Sequence, residues 1–436
     1  MVNRTMKDSK VKWIGDIPDN WEVKPLKYIA NIQTGNTPSM KNKHYYSDNG
    51  IDWVKTNNLL GTKGVKESEV KLSIEGSKVA RIAKAHSTLV SCIGDVGKMG
   101  YITSDSAYNQ QINAVTFNED DVFWKYGMYY ISVQKEQHQY YQNGNVLKIL
   151  NTENQKRVVV PVPKIEEQKK IAAFLDEKVA HIDNIIENTK KSIENLKFYK
   201  QSLITETVTK GLDSNVEMKD SGIEWVGKIP KHWMLRKIKH LTSKIGSGKT
   251  PRGGGNIYSN EGILFLRSQN IYETGLYLEN ATYISPEIDD SMKSTRVYSN
   301  DVLLNITGGS IGRACVYPQY IETHANVNQH VCILRPIQEY THPSYLFYYL
   351  ISHVGRNYIR YYQTGGNREG LNFEQIGNFA IPSFSIHEQT KIVNYLDEKT
   401  SQVDQIVNQQ KQLVKEFESY KRSIIYEYVT GKKEVK

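Results

Sequence analysis

Residues 161–178 read PVPKIEEQKKIAAFLDEK, and residues 382–399 read PSFSIHEQTKIVNYLDEK. Pro161, Glu167, Gln168, Leu175, Asp176, Glu177 and Lys178, with Asp183 beyond them, return in order as Pro382, Glu388, Gln389, Leu396, Asp397, Glu398, Lys399 and Asp404. The residues downstream of each stretch decide the architecture. From Glu166 to about Thr207, and from His387 to about Tyr428, there is neither Pro nor Gly, so nothing interrupts a helix. Leu175, Ile182, Thr189, Leu196 and Leu203 recur every seven residues, with Val179, Ile186 and Ile193 between them. Leu396, Val403, Gln410, Phe417 and Ile424, with Thr400, Val407 and Val414, keep the same register in the second copy. Helices of some forty residues make rods of about 60 Å, and the matched apolar seams predict that the two rods pack on each other. Thr189 and Gln410 interrupt the seams at equivalent central positions, a place where a polar residue can fix register.

Working outward, the duplication extends to the start of each half. Asp8, Trp13, Gly15, Pro18, Trp21 and Lys27 reappear at identical spacing as Asp220, Trp225, Gly227, Pro230, Trp233 and Lys239. A period of roughly 210 to 220 residues far exceeds a solenoid repeat, so each copy is expected to be a domain with its own core. The order of segments within each copy is shared. Thr34 to Pro38 matches Gly246 to Pro251 as a Gly/Thr/Pro loop. Three strand candidates come next: Trp53 to Lys55 with Phe265 to Arg267, Leu89 to Ile93 with Val302 to Ile306, and Ala114 to Phe117 with Val331 to Leu334. Aromatic helices are expected around Tyr126, Tyr129 and Tyr130 and around Tyr345, Tyr348 and Tyr349. The expected fold is therefore α+β: two pseudo-symmetric mixed α/β domains (1–165 and 213–385), each followed by a long helix (166–212 and 386–436), the helices forming an antiparallel coiled coil.

Lys plus Arg number 56 against 47 Asp plus Glu, a net charge of +9, and the pI is about 9.0, which favours a polyanionic partner. No stretch approaches the ~20 apolar residues of a membrane span, and no signal peptide opens the chain, so a cytoplasmic location is expected. Cys92, Cys315 and Cys332 lack zinc-ligand spacing, and the eleven His are scattered. Neither a metal nor a cofactor is expected. Gly246-Ser-Gly248-Lys249-Thr250 imitates part of a phosphate-binding loop, but Ser243 stands where that loop needs Gly, and Pro251 follows where it needs a helix. The tetrapeptide of an amino-methyltransferase is missing too. A binding protein is the reading these absences leave.

Polar residues recur at matched positions beside the strand candidates. Lys55, Asn57 and Asn58 align with Arg267, Gln269 and Asn270; Asn109 and Gln110 with Asn328 and Gln329; Asn145 with Asn367, which Arg368 follows. Lys98 and Arg313 close the turns Gly94-Asp-Val-Gly97 and Gly309-Ser-Ile-Gly312. Arg, Lys, Asn and Gln are the side chains that pair with guanine and adenine edges, so these residues are the candidate DNA contacts.

The Trp-Ile-Gly-Asp-Ile-Pro-x-x-Trp start of Trp13 to Trp21, echoed as Trp-Val-Gly-Lys-Ile-Pro-x-x-Trp at Trp225 to Trp233, the Thr-Gly-x-Thr-Pro loop and the Glu-Gln run leading into Leu-Asp-Glu-Lys make the chain resemble, over nearly its full length, the specificity subunit of type I restriction-modification systems. The resemblance implies two target-recognition domains held apart by antiparallel helices, each reading one half of a split, asymmetric duplex DNA sequence. It also implies two methylation subunits on the helices and further restriction subunits, with S-adenosylmethionine and ATP bound by those partners and no catalysis in this chain. Two alternatives remain open from the residues alone: a self-contained DNA methyltransferase or NTPase, and a repressor of two half-sites.

Overall fold

The computed structural model describes residues 4–435 except 145–147, 252–256, 322 and 364–369. Its contacts group the chain into two compact units, Met1–Lys190 with Lys411–Lys436, and Lys191–Gln410. Compactness thus groups the chain differently from its sequential order, because each unit takes part of both long helices.

In unit 1 a four-stranded antiparallel sheet runs Met99–Tyr101, Thr88–Ser91, Ile112–Phe117, Ala30–Thr34. Unit 2 repeats it as Ala314–Val316, Val302–Asn305, Val331–Pro336, Thr242–Ser247. All four residues of Thr88–Ser91 and of Val302–Asn305 are buried, so these central strands read as continuous rather than alternating patterns. A second sheet in each unit contains one parallel pair, Ile51–Val54 with Ser106–Tyr108 and Ile263–Leu266 with Ala325–Val327. The mixed α/β expectation with a substantial antiparallel component holds.

The aromatic helices are Trp124–Ser132 and Pro343–Ile351. Their tyrosines explain the repeated motifs. The Tyr126 hydroxyl lies 2.7 Å from the Pro161 carbonyl and 2.9 Å from that of Val429, while Tyr345 reaches Pro382 at 3.2 Å and Val208 at 3.0 Å. One turn along, Tyr129 donates to Asp176 (2.8 Å) and Tyr348 to Asp397 (2.6 Å). Each aromatic helix therefore holds the start of its own long helix and the end of the other one.

The Glu-Gln pair is a second lock. Trp21 and Trp233 are fully buried, and their indole N–H groups donate to Glu167 (3.2 Å) and Glu388 (3.0 Å). Gln168 accepts the Phe123 amide at 2.8 Å and donates to the Asp121 and Pro163 carbonyls; Gln389 does the same with His342, Tyr340 and Phe384. Truncating a buried amide that satisfies three backbone groups strands all three. Gln168→Ala is accordingly expected to destabilise unit 1 by about 2–3 kcal/mol, and Gln389→Ala unit 2 by the same. Hydrogen exchange resolved by peptide checks this: protection should fall in the unit carrying the change.

The long helices span Ile165–Lys210 and Ile386–Val429. In unit 1, Leu175, Val179, Ile182 and Ile186 share a core with Val414, Ile424, Ile425 and Val429. In unit 2, Ile193 packs with Val403 and Val407, and Ile204 and Val208 join Ile392, Val393 and Leu396. The helices run antiparallel in both. Asp183 pairs with Lys421 at 2.8 Å, and its repeat Asp404 pairs with Lys200 at 2.6 Å. Gln410 donates to Ser192 at 3.0 Å, whereas the Thr189 hydroxyl returns to Ile185 of its own helix. Both helices stop at a left-handed glycine set on a tryptophan: Gly211 (φ 77°) on Trp233, Gly431 (φ 72°) on Trp21. A Cβ at Gly431 would sit 2.4 Å from Pro18, so conformation and close approach both require glycine there.

Candidate nucleic-acid interface

Hydrogen bonds to backbone carbonyls, donated by amides and by one side chain, gather three segments at one end of the sheets in each unit. In unit 1 the Asn109 amide donates to Val54 (3.0 Å), Cys92 donates to Gln111 (2.8 Å), and the Lys98 ammonium reaches the Thr56 carbonyl (2.8 Å). Unit 2 repeats the first two as Asn328 to Leu266 (3.0 Å) and Ile306 to His330 (3.0 Å), and replaces the third by Asn305 to Ser268 (2.8 Å). The strand-exit turn, the Asn-Gln turn and the glycine turn, all singled out by sequence, thus form one surface per unit.

Local turn chemistry divides the candidates into residues that shape this surface and residues it presents. Asn58 is buried; its carbonyl accepts the Lys55 amide (2.9 Å) and its NH2 donates to Glu67 (3.4 Å). Asn270 does likewise with Arg267 (2.9 Å) and Tyr277 (2.9 Å). Asn109 and Asn328 are buried too, their carbonyls accepting the amides of Gln111 and His330 at 3.1 Å. These four members of the expected set share one arrangement: a short amide side chain closes a tight turn on its own backbone. The neighbours Asn57, Gln110, Gln269 and Gln329 are exposed. Lys55 lies 4.8 Å from the Trp53 ring centre and Arg267 6.0 Å from that of Tyr258. Asn145, Asn367 and Arg368 fall outside the described residues.

The Thr-Gly-x-Thr-Pro loop is clasped to the Asn-Gln turn. Thr37 bonds Gln110, and Thr250 bonds Gln329; the loop motif marks these threonines but not their partners, because a hydroxyl pairing across the chain leaves no spacing signal. Gly35 lies so close to the chain that a Cβ would stand 2.3 Å from the Tyr108 carbonyl, and at Gly248 the corresponding distance to Val327 is 1.5 Å. The Gly248 and Lys249 amides are spent on the Val331 and Val327 carbonyls. A phosphate loop needs those amides free, so the resemblance at Gly246–Thr250 ends in strand pairing.

The glycine turns differ by one residue. Ser91 and Asn305 open them, each receiving the amide of the penultimate glycine, Gly97 (3.0 Å) and Gly312 (2.9 Å). By left-handed backbone Gly94 (φ 78°) corresponds to Gly308 (φ 68°), not to Gly309 as the spacing suggested, since the second turn is longer by one. In unit 1 Asp95 is held by Lys135 at 2.5 Å. In unit 2 the Arg313 guanidinium stacks 4.9 Å from the Tyr272 ring centre, and Arg356 and Arg360 stand nearby on the helix His353–Gln363. Sequence reasoning missed those two arginines because that helix comes after the aromatic segment without a motif of its own.

Burial pushes the thiols up, Cys92 to about 11 and Cys315 and Cys332 to about 12. Their thiolate fraction at neutral pH is negligible. A disulfide-exchange reagent is expected to leave all three untouched in the native chain and to react with them in denaturant; rapid labelling of the native protein would contradict the packing. Among the described residues no three His, Cys, Asp or Glu gather as a metal site, and no helix is long and apolar enough to cross a membrane.

Comparison with known proteins finds the same duplication of the chain. The model of the type I restriction modification DNA specificity domain matches residues 18–195 and again 230–416. The chain is 24% identical to the putative type I restriction enzyme MjaX specificity subunit of Methanocaldococcus jannaschii, across 97% of this chain and 96% of that protein. It is 23% identical to the type I restriction enzyme EcoBI specificity subunit of Escherichia coli, across 94% and 85%. A solved chain from a study of assembly and conformational transition of the type I R-M system superposes with a TM-score of 0.72 at 14% identity, over 95% of this chain and 98% of that one. The HsdS subunit from Thermoanaerobacter tengcongensis superposes with a TM-score of 0.50 at 15% identity over 95% and 98%. With the specificity-domain model matched once in each half and the fold shared, the chain belongs to the type I restriction-modification DNA specificity family.

Proposed function

We propose that each unit reads one half of a bipartite, asymmetric duplex DNA sequence, and that the chain brings methylation and restriction subunits to it in the cytoplasm. The observation that carries this reading is a surface built twice to one plan, with Gln110 and Gln329 shared but Asn57 and Lys98 in one unit answered by Gln269 and Arg313 in the other. One plan supports the same task done twice; unlike side chains support unlike half-sites. Two methylation subunits suit two equivalent positions along paired helices. S-adenosylmethionine and ATP chemistry then belongs to the partners, and the long helices carry the spacing between half-sites. Relatives named as type I restriction specificity subunits support the partner class. The experiment is methylation of DNA by the purified chain with and without co-purified methylation subunits. Sequence-specific methylation is expected only with them; methylation by the chain alone would defeat the reading.

A further inference from the structure

The described surface of unit 2 holds a feature that the sequence did not single out. The turn Gly309–Arg313 and the helix His353–Gln363 enclose an open cavity of about 370 Å³, lined also by Glu273, Arg356 and Arg360. Arg356 and Arg360 are exposed and one helical turn apart, while Val354 and Tyr358 are buried on another face and Ile359, also buried, lines the cavity beside the arginines. Gly312 (φ 85°) lets that helix come close, since a Cβ there would lie 3.0 Å from Ile359. Stacking on Tyr272 occupies a face of the Arg313 guanidinium and leaves its N–H edge for an acceptor. Among the described residues only one carboxylate, Glu273, lines the cavity, 2.6 Å from Arg356. Gly309 needs neither a left-handed backbone nor room within the chain, as no atom lies within 4 Å of its would-be Cβ.

We propose that this cavity is a clamp for a DNA phosphodiester, in which Arg313, Arg356 and Arg360 close on the anion beside the bare turn at Gly309, and that it fixes the position of unit 2 on the duplex. Guanidinium forks match the paired oxygens of a phosphate, and a residue without a side chain lets the sugar-phosphate backbone approach the turn. The neighbouring Ser268–Asn270 turn, joined through Asn305 to Ser310 of the cavity lining, presents Gln269. Phosphate contact and base reading are thereby placed side by side, the first setting register for the second. The equivalent turn of unit 1 carries less positive charge: Asp95 puts a carboxylate on the turn itself, paired with Lys135, and Lys98 is bound to a carbonyl, whereas in unit 2 the Arg356–Glu273 pair stands beside two further cations, Arg313 and Arg360. The clamp belongs to unit 2 alone among the described residues.

The inference rests on the DNA-binding reading and is tested in a way that separates the two. Affinity of the full chain in complex with its methylation subunits is measured for a cognate and a scrambled duplex between about 50 and 200 mM salt. The unaltered complex is compared with R356Q/R360Q and with Gly309→Leu. Neutralising two phosphate contacts should reduce the slope of log affinity against log salt by about two, and weaken both duplexes by the same factor, on the order of tenfold or more. Gly309→Leu should weaken DNA binding while leaving the urea midpoint where it is. An unchanged slope in the double variant overturns the clamp, as does a loss confined to the cognate duplex, which would make the arginines base readers. Titration with inorganic phosphate distinguishes a free-anion pocket: tight binding lost in the double variant, with DNA affinity intact, also overturns it. If the unaltered complex fails to discriminate the duplexes, the DNA-recognition reading itself falls and the clamp with it.

Discussion

Replacing residues 8–160 with the corresponding segment of a related chain is expected to change one half of the methylated sequence and leave the other half as it was. The strand-exit, Asn-Gln and glycine turns of unit 1 all lie inside that segment, and those of unit 2 lie outside it. A reader that loses all its base contacts gives up about 1–3 kcal/mol at each base pair it specified, so the old half-site should become indistinguishable from random sequence. The graft has to keep Trp21 for Glu167, Tyr126 for the Val429 carbonyl and Thr62 for Lys421, because these anchor the segment to both long helices. Sequencing of methylated bases in cells carrying the hybrid decides the matter. Change in both half-sites would refute the division of labour, and a hybrid with a lowered unfolding midpoint would mark a lost anchor.

Adding seven residues to the first long helix between Lys190 and Lys191, and seven to the second between Gln410 and Lys411, is expected to widen the unread gap by about three base pairs. Seven residues lengthen a helix by about 10.5 Å, against ~3.4 Å per base pair. A whole heptad keeps Leu175, Ile182 and their partners on the seam, whereas four residues would turn it away. Position matters for a reason the periodicity alone concealed. An insertion near Leu203 to Thr207 would cut into the core that Ile204 and Val208 share with Trp233 and Tyr345, and would be expected to unfold unit 2. Methylation mapping reads both outcomes; an unchanged gap at full activity would show that the helices are not the spacer.

The two long helices were legible because their cause is local. An unbroken run without Gly or Pro, with apolar residues every three to four positions, specifies a helix and its buried stripe before any partner is known. Towards the end of the first seam Ile204 is fully buried and Leu203 half-buried, since there the helix packs both on its partner and into the core of unit 2. Duplication announced the double architecture for a similar reason: Glu167 and Glu388 recur because each meets the same tryptophan in its own copy, and Asp183 and Asp404 because each meets the equivalent lysine on the other long helix. The sequence showed that these residues matter without showing that they are locks.

By itself, then, the sequence determined two copies of a mixed α/β fold, two long helices with matched seams, a basic balance and a small set of polar turns. Only the tertiary structure decided which amides in those turns are free. Asn57 and Asn58 are equal as letters, but Asn58 is turned inward to close a backbone loop and Asn57 stays exposed, a choice made by the fold of the chain around them. The same holds for Arg356 and Arg360, ordinary on a helix until that helix is laid beside Gly309 to Arg313, and for Lys135, which becomes the partner of Asp95. Periodicity is a property of neighbours along the chain; a site is a property of neighbours in space, and burial sets which polar groups remain available to a ligand.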